Sequence, residues 1–443
     1  MKVKLNLITE KAKQNKRLKF TSLIHHINEE NLMRCYQDLK RDSACGIDNV
    51  TVEEYGRNLA GNIRDLLERL KTKQYRPMPV KRVYIPKPGR ADEKRGLGLP
   101  TVEDKLVQIM VKKLLEAIYE ADFLDCSYGF RPGRNCLQAI NRLDKEVMSK
   151  PVNFIVEVDI QKFFDTLSHY WMQRCLEERV VDPNLLWLIR SILKAGVIEG
   201  KQHRANYQGT MQGGNLSPLL ANIYLHYVLD LWFEKKFKPQ AKGYMQLIKY
   251  CDDFVVCCEN EQDAQEFLKR LEERFSQFSL TLSTKKTKII KFGRQAWYQW
   301  KQGRSKPSTF NFLGFTHYCA TSRRGHFIMG HKTAKENLRH KLQEIKEWVK
   351  RIRNCLRLQR WWPMLKAKLT GHYNYFGISG NCVCLQQFYY QVKRIVFKWI
   401  NRRSQRKSMT WQMFQNYLIW NPLPKPKIYH SIYTLTPKRG MLH

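Results

Sequence analysis

Residues 248–256 read Ile248-Lys249-Tyr250-Cys251-Asp252-Asp253-Phe254-Val255-Val256, an adjacent pair of acids enclosed by apolar, β-prone residues. Runs of β-branched and aromatic residues form strands, and Asp favours the turn between two strands. The pattern therefore predicts two short strands over residues 247–258 that are joined at Asp252 and Asp253. Taken alone, the acidic pair is more typical of an ordinary hairpin turn than of a functional site.

A second acid-bearing strand favours a functional site. Residues 154–160 form a short β-rich run, in which alternation places Asp159 on the opposite face from Val158 and Ile160. Like charges side by side in apolar surroundings are costly without a cation. Polymerases transfer phosphoryl groups with two divalent ions held between carboxylates and phosphate oxygens, and Mg²⁺ suits such oxygen ligands. Asp159, Asp252 and Asp253 are therefore the candidate metal-binding acids.

The charge balance indicates a polyanionic partner. The 443 residues include 78 Lys and Arg against 40 Asp and Glu, a net charge of +38. Nucleic acid is the usual partner for such an excess, ahead of a merely soluble basic surface or an anionic membrane. No run of about 18 uncharged apolar residues occurs, so we expect no membrane span.

Cysteine usage and the N-terminus bear on the compartment. The 12 Cys form no CxxC pair, which argues against a zinc site and favours reduced thiols. Residues 1–19 are basic but precede no apolar run, so a basic arm is expected rather than a secretion signal. These features predict a cytoplasmic protein.

Hydrophobic periodicity predicts helices over residues 28–40, 55–72, 101–121 and 335–358, and a β-hairpin with a basic loop over 80–100. The composition changes near residue 348. From Trp348 to His443 there is no Asp or Glu, but there are 18 Lys and Arg and 17 aromatic residues. Aromatic rings beside cations suit nucleic acid, although any single Trp is more often part of a helix-packing core.

Short motifs in a fixed order make the chain resemble the reverse transcriptase–maturase proteins encoded by bacterial group II introns. The motifs are Cys45-Gly46-Ile47-Asp48, Tyr84-Ile85-Pro86-Lys87, Arg95-Gly96-Leu97-Gly98-Leu99-Pro100-Thr101, Ser127-Tyr128-Gly129-Phe130-Arg131-Pro132-Gly133-Arg134, Val158-Asp159-Ile160 with Phe163-Phe164-Asp165, Gln212-Gly213-Gly214, Leu216-Ser217-Pro218-Leu219-Leu220-Ala221-Asn222-Ile223-Tyr224-Leu225, Tyr250-Cys251-Asp252-Asp253 and Asn311-Phe312-Leu313-Gly314-Phe315. Together they span roughly residues 45–315.

The resemblance implies an α+β, right-hand polymerase with fingers and an antiparallel palm sheet, followed by an α-helical thumb or maturase (X) domain. The corresponding boundaries are a basic extension over 1–45, fingers and palm over 46–315, the thumb over 316–400 and a basic DNA-binding segment over 401–443.

The resemblance also implies site residues. The expected metal ligands are Asp159, Asp252, Asp253 and the Ile160 carbonyl; the nucleotide-binding residues are Lys87, Arg95, Phe163, Phe164, Gln212 and Gly213; the template and primer contacts are Arg131, Arg134 and Tyr250. One Phe of the pair would exclude a ribose 2′-OH, and either could instead be ordinary core. Lys87 could equally be a solvated loop charge.

Two positions depart from the family pattern: Met211 stands where Pro is usual, and Cys251 where many relatives have Ala. The C-terminal His- and Cys-rich nuclease clusters of many relatives do not occur in the sequence, so we expect no second-strand cleavage.

The expected function is RNA-directed DNA synthesis with two Mg²⁺ ions, for which Mn²⁺ can substitute, in a bacterial cytoplasm. The expected partners are an RNA template, a DNA primer, deoxynucleoside triphosphates and a group II intron RNA whose splicing the protein assists. Two alternatives stay open: a maturase that acts only in splicing, and a domesticated relative that serves DNA repair or phage defence.

Overall fold

The computed structural model describes residues 2–87, 90–200, 202–204, 208–402 and 409–431. The chain divides into two compact units. The first unit comprises Met1–Pro86, Asp92–Asn135 and Val156–Ile289, and the second comprises Lys87–Ala91, Cys136–Ile155 and Ile290–His443. The domain boundaries that the sequence suggested at 46, 316 and 401 stay predictions.

The helices are α1 (Lys2–Gln14), α2 (Glu29–Gln37), α3 (Val52–Gly56), α4 (Leu59–Lys71), α5 (Val102–Tyr119), α6 (Cys136–Ser149), α7 (Phe163–Thr166), α8 (His169–Glu177), α9 (Pro183–Lys194), α10 (Ser217–Leu225), α11 (Glu261–Gln277), α12 (Arg294–Lys301), α13 (Lys335–Cys355), α14 (Leu358–Phe376), α15 (Cys382–Ile400) and α16 (Trp411–Trp420). The strands are β1 (Val80–Lys87), β2 (Arg90–Leu99), β3 (Phe154–Val158), β4 (Val197–Glu199), β5 (Gln202–Arg204), β6 (Met245–Tyr250), β7 (Asp253–Cys258), β8 (Lys288–Lys291), β9 (Phe310–Phe312), β10 (Phe315–Thr321) and β11 (Phe327–Thr333). Short 3₁₀ segments cover Ile24–His26 and Lys238–Gln240, and π-helical turns cover His226–Asp230 and Phe233–Phe237.

Most predicted elements are present with similar bounds. The strongly periodic segments became α2, α5 and α13, and the acidic stretch became β6 and β7. The single helix predicted over 55–72 is two helices, α3 and α4, because Asn58 leaves the helical region at φ −127°. The chain also passes so close to Tyr36 at Gly56 that an added Cβ would lie 2.0 Å from its hydroxyl oxygen.

The N-terminal segment, predicted from the sequence as a basic arm, contains a helix and belongs to the first unit. Helix α1 packs against α5. Arg179, which is 2% exposed, forms an ion pair with Asp122 and donates to the carbonyls of Lys16 and Leu18 at 3.0 and 3.1 Å. A buried guanidinium with these partners fixes the end of this segment.

The first unit contains the sheet that carries the candidate acids. Its strand order is β6-β7-β3-β8, and β6 pairs with β7 antiparallel from Met245↔Cys258 to Tyr250↔Asp253. A second sheet has the order β2-β1-β4-β5, in which the predicted hairpin is extended by β4, parallel to β1. Strands β4 and β5 were not predicted.

The second unit combines a three-stranded antiparallel sheet, β11-β10-β9, with the helices α13 to α16. Helices α13, α14 and α15 share one hydrophobic core, which includes Trp348, Trp361, Trp362, Tyr373 and Phe388. Antiparallel sheets with a helical C-terminal region confirm the predicted α+β class. Among the described helices, none has both the length and the apolarity to cross a bilayer.

Candidate active site

The turn between β6 and β7 brings the acidic pair to one end of the sheet. Cys251 and Asp252 form the two-residue loop, since Tyr250 pairs directly with Asp253. Cys251 has φ 59°, a left-handed conformation that costs a non-glycine residue roughly 1–2 kcal/mol. Its side chain is 2% exposed. The turn is therefore held by its surroundings rather than by local preference.

Residues 126–129 form part of these surroundings. The Tyr128 amide donates to the Lys249 carbonyl at 2.8 Å, and the Lys249 amide donates to the Cys126 carbonyl at 2.7 Å. At Gly129 an added Cβ would lie 2.5 Å from the Cys251 nitrogen. Any side chain at position 129 would therefore displace the turn that carries Asp252.

Asp159 follows β3, the strand next to β7 in the sheet. Burial raises the pKa of Asp252, the Arg95 charge lowers it, and the negative charge of Asp159 raises it further. Asp159 and Asp252 are therefore within electrostatic reach of each other, while Asp253 is exposed at the start of β7. Within the described part of the chain, no group of three or more His, Cys, Asp or Glu side chains is close enough to hold a metal ion.

A cation already contacts one of these acids. The Lys286 ammonium lies 2.9 and 3.0 Å from the two carboxylate oxygens of Asp159. Both side chains are part-exposed, so the pair adds little to stability, but it shows that this carboxylate accepts a positive charge. Carboxylate oxygens are the ligands that Mg²⁺ prefers, so the donor set fits a divalent ion. Sequence reasoning missed Lys286, which is 127 residues from its partner.

The backbone around Ile160 is paired with residues 281–283. The Gln161 amide donates to the Thr281 carbonyl, and the Ser283 amide donates to the Asp159 carbonyl, both at 2.8 Å. Neither bond uses the Ile160 carbonyl, so both leave that oxygen to act as a ligand.

A cavity of about 490 Å³ lies in the first unit. Its lining includes Arg82, Lys162, Phe164, Asp165, Glu199, Met211 and Gln212. Phe164 lines this cavity, whereas its neighbour Phe163 is 2% exposed and belongs to the core. The structure thus separates two residues that the sequence left equivalent.

Gln212 and Gly213 approach β2 through backbone atoms. The Gly98 amide donates to the Gln212 carbonyl at 2.7 Å. Gly213 has φ 101°, and a Cβ there would lie 3.0 Å from the Gly98 oxygen. This loop therefore requires glycine at 213 and depends on the small residue at 98.

Arg82 is a cation that sequence reasoning missed. It lines the cavity with its guanidinium 3.8 Å from the Asp165 carboxylate, and its buried Nε has no hydrogen-bond partner among the described residues. Side chains alternate along β1, so Arg82 lies on the same face as Val80, which also lines the cavity; this alternation could have identified Arg82 from the sequence.

The two cations that the sequence predicted have different outcomes. Arg95 is exposed, and the side chain of Lys87 lies outside the described part of the structure.

The three predicted template and primer contacts differ in their surroundings. Arg131 is 7% exposed, with its guanidinium on Glu120 at 2.7 Å and on the carbonyls of Leu124 and Ser127 at 2.7 and 2.8 Å. These bonds stabilise the loop that carries Arg131, and its contact with template or primer phosphates stays a prediction. Arg134 is part-exposed beside Asp125 at 2.6 Å. The Tyr250 ring lies 6.0 Å from that of Phe130.

The C-terminal aromatic residues divide between core and surface. Trp361, Trp362 and Tyr373 are buried in the helical core. Trp399 is part-exposed, and the side-chain cations of Lys350, Arg353 and Arg402 lie 5.8, 4.7 and 5.6 Å from its ring centroid. Arg403, Arg406 and Lys407, which belong to the same basic and aromatic stretch, lie outside the described residues.

Comparison with known proteins adds an independent observation. The family model described as "Reverse transcriptase (RNA-dependent DNA polymerase)" matches residues 85–317. The group II intron-encoded protein LtrA of Lactococcus lactis subsp. cremoris is 33% identical over 306 residues, which are 66% of this chain and 50% of LtrA. Protein YkfC of Escherichia coli is 34% identical over 44% of this chain and 52% of YkfC. The mitochondrial nuclear intron maturase 4 of Arabidopsis thaliana is 30% identical over 35% of this chain and 19% of its own length. The chain spans about half the length of LtrA and YkfC.

Proposed function

Because this chain belongs to the reverse transcriptase family, we propose that it copies an RNA template into DNA by extending a primer with deoxynucleoside triphosphates. The identity to LtrA confirms the predicted likeness to group II intron proteins. The observation that carries the proposal is the adjacency of β3 and β7, which places Asp159 within electrostatic reach of Asp252.

The family uses divalent metal ions, and for this chain we propose two Mg²⁺, with Mn²⁺ as a substitute. Asp159, Asp252, Asp253 and the Ile160 carbonyl would hold them. Bound there, the ions would neutralise the charge that develops on the attacking and leaving oxygens. The chain carries Asp159 and Asp252 at the ends of neighbouring strands, and the partial burial of Asp252 makes a cation beside it favourable.

The cavity beside β1 would receive the incoming nucleotide. Cations opposite a triphosphate stabilise the departing pyrophosphate, and we assign this role to Lys87 and Arg95 together with Arg82. Phe164 would stand against the sugar and exclude a ribose 2′-OH by volume. The loop at Gln212 and Gly213 would line the opposite side, since Gln212 borders the same cavity.

Arg134 and Tyr250 are the proposed contacts to template or primer. For the RNA partner, the names of the relatives suggest more than a template: LtrA is named as encoded by a group II intron, and the Arabidopsis relative is named as an intron maturase. We therefore propose a group II intron RNA as a second ligand whose splicing the chain assists. The positive charge supports binding to either RNA.

Primer extension on an RNA template with Mg²⁺ tests the proposal. Asp252→Asn should reduce extension by on the order of a hundredfold or more, because one group that stabilises developing charge is lost. Glu273→Gln, an exposed position on α11, should match the wild type. Equal extension by wild type and Asp252→Asn, with unfolding midpoints that also agree, would refute the assignment.

A further inference from the structure

A second cavity, of about 600 Å³, lies in the second unit, and none of the residues assigned above line it. One wall is formed by residues 148–153, which end α6 and lead into β3. The other wall is formed by Arg294, Gln295, Tyr298, Gln299 and Gln302 on α12 and its C-cap. The volume is in the range of pockets that hold a ligand of nucleotide size.

The lining of this cavity is polar and aromatic in a regular arrangement. Gln295, Tyr298, Gln299 and Gln302 follow the spacing of one helix face, so their side chains project on the same side. The Tyr298 side chain is 55% exposed. None of the three Gln amides makes a side-chain hydrogen bond to a residue that the structure describes. The lining includes Lys150 and Arg294 but no Asp or Glu.

The two walls are fixed to each other and to the adjacent sheet. The Phe292 amide donates to the Asn153 carbonyl at 2.9 Å, and the Arg294 guanidinium donates to the Met148 carbonyl at 3.2 Å. On the opposite face of α12, the buried Trp297 ring donates to Thr321 Oγ1 at 3.0 Å. The amides and the Tyr298 ring are therefore presented by a rigid platform, which lowers the entropy cost of binding.

We propose that this cavity binds an unpaired nucleotide of a single-stranded RNA. Each Gln amide offers both a donor and an acceptor, as the Watson–Crick edge of a base requires, and an exposed Tyr ring can stack on the base. Lys150 and Arg294 supply positive charge for the phosphate, and no carboxylate in the lining repels it. A peptide partner would call for an apolar groove or paired charges instead. This cavity is separate from the candidate active site, and RNA binding there does not depend on polymerase activity.

The test uses the full chain and a single-stranded RNA oligonucleotide that carries 4-thiouridine. After irradiation, mass spectrometry should find crosslinked peptides from α12. In fluorescence anisotropy at fixed salt, Tyr298→Ala should weaken RNA binding by about fivefold or more, because one stacked base is lost. Tyr298→Trp should keep the affinity within about twofold, since it keeps a stacking ring. Tyr170→Ala, at another exposed tyrosine, on α8, is the matched control and should bind as the wild type.

Two results would overturn the proposal directly: an affinity of Tyr298→Ala for single-stranded RNA within about twofold of the wild type, or crosslinked peptides that do not include α12. The proposal would also fail if Tyr298→Ala lost as much affinity for a fully double-stranded RNA of the same sequence as for the single strand. Matching unfolding midpoints show that the variants are folded. Primer extension on the same preparations separates this inference from the proposed function. If the wild type shows crosslinks on α12 but no primer extension, RNA binding in the cavity is supported and the proposed polymerase activity is refuted.

Discussion

Lys249 and Asp230 form an ion pair of 2.8 Å in which both side chains are 0% exposed. Lys249 lies in β6, one residue before Tyr250, so the pair is buried next to the strand end that carries the acidic turn. Replacing Lys249 with Met should destabilise the protein by about 3–5 kcal/mol, because the Asp230 carboxyl would stay buried without its partner. Chemical denaturation measures the change in the free energy of unfolding.

The double variant Lys249→Met with Asp230→Leu is the informative control for that pair. Two apolar side chains of similar size should restore most of the lost stability, since neither leaves a buried charge. If the double variant is as unstable as Lys249→Met alone, the loss does not come from an uncompensated Asp230.

Phe163 and Phe164 should respond differently to truncation. Phe164→Ala should raise the incorporation of ribonucleotides relative to deoxynucleotides by roughly tenfold or more, because it enlarges the cavity wall that faces the sugar. Phe163→Ala should leave this ratio unchanged but lower stability by about 3–5 kcal/mol, since a buried ring is removed. Single-nucleotide incorporation assays and unfolding curves give the two readouts, and a ratio that changes only in Phe163→Ala would exchange the two assignments.

Gly129→Ala should impair catalysis more than stability. The added Cβ would lie 2.5 Å from the Cys251 nitrogen, and a shift of about 1 Å in a catalytic group can cost on the order of a hundredfold in rate. Gly371→Ala in α14 is the control, because nothing lies within 4 Å of its Cβ. That substitution should leave primer extension intact and stabilise the helix by about 0.5–1 kcal/mol. Full extension by Gly129→Ala would show that the turn tolerates displacement.

His226 should make stability fall in acid. Burial, and then the Lys249 charge, lower the pKa of this histidine to about 3, whereas an unfolded histidine has a pKa of about 6.5. As the pH falls below the pKa of histidine in the unfolded state, the unfolded protein binds a proton on His226, whereas the folded protein keeps this side chain neutral. Stability should thus decrease between about pH 6.5 and pH 3, at up to about 1.4 kcal/mol per pH unit for this residue.

Substituting His226 with Leu should remove that part of the slope. Unfolding free energies at several pH values from neutral to about pH 4 would measure it for both proteins. The same pH dependence in wild type and His226→Leu would mean that other groups account for the acid sensitivity.

Elements with strong local signals could be predicted from the sequence, and contacts between distant segments could not. The periodicity of residues 335–358 predicted α13, and the enclosed acids predicted the β6–β7 hairpin. Strands β4 and β5 have only three residues each, and β4 pairs with β1 more than 100 residues away along the chain, so no local pattern marks them. The burial of Arg131 could not be predicted either, because a Pro- and Gly-rich loop suggests exposure, whereas Glu120 and two carbonyls enclose the guanidinium.

In the candidate site, too, residues within local motifs could be predicted, whereas contacts between distant segments could not. The motifs identified the acids and the aromatic pair, but only the fold distinguishes Phe164 from Phe163. Lys286 contacts Asp159 although the two residues are 127 positions apart in the sequence. Arg82 lines the cavity because side chains alternate along β1, whereas the sequence motif in that strand had indicated Lys87. Charge at a site can therefore come from residues that no short motif contains.

The contacts of Arg179 set an order of events during synthesis. The carbonyls of Lys16 and Leu18 leave the ribosome 163 and 161 residues before the guanidinium that binds them. Until that arginine emerges, α1 can pack against α5, but the carbonyls of Lys16 and Leu18 lack their donor, because closing so long a loop needs both ends present. Nascent chains in which Arg179 has not yet emerged should therefore leave the segment at Lys16 and Leu18 open to proteases, and longer chains should protect it.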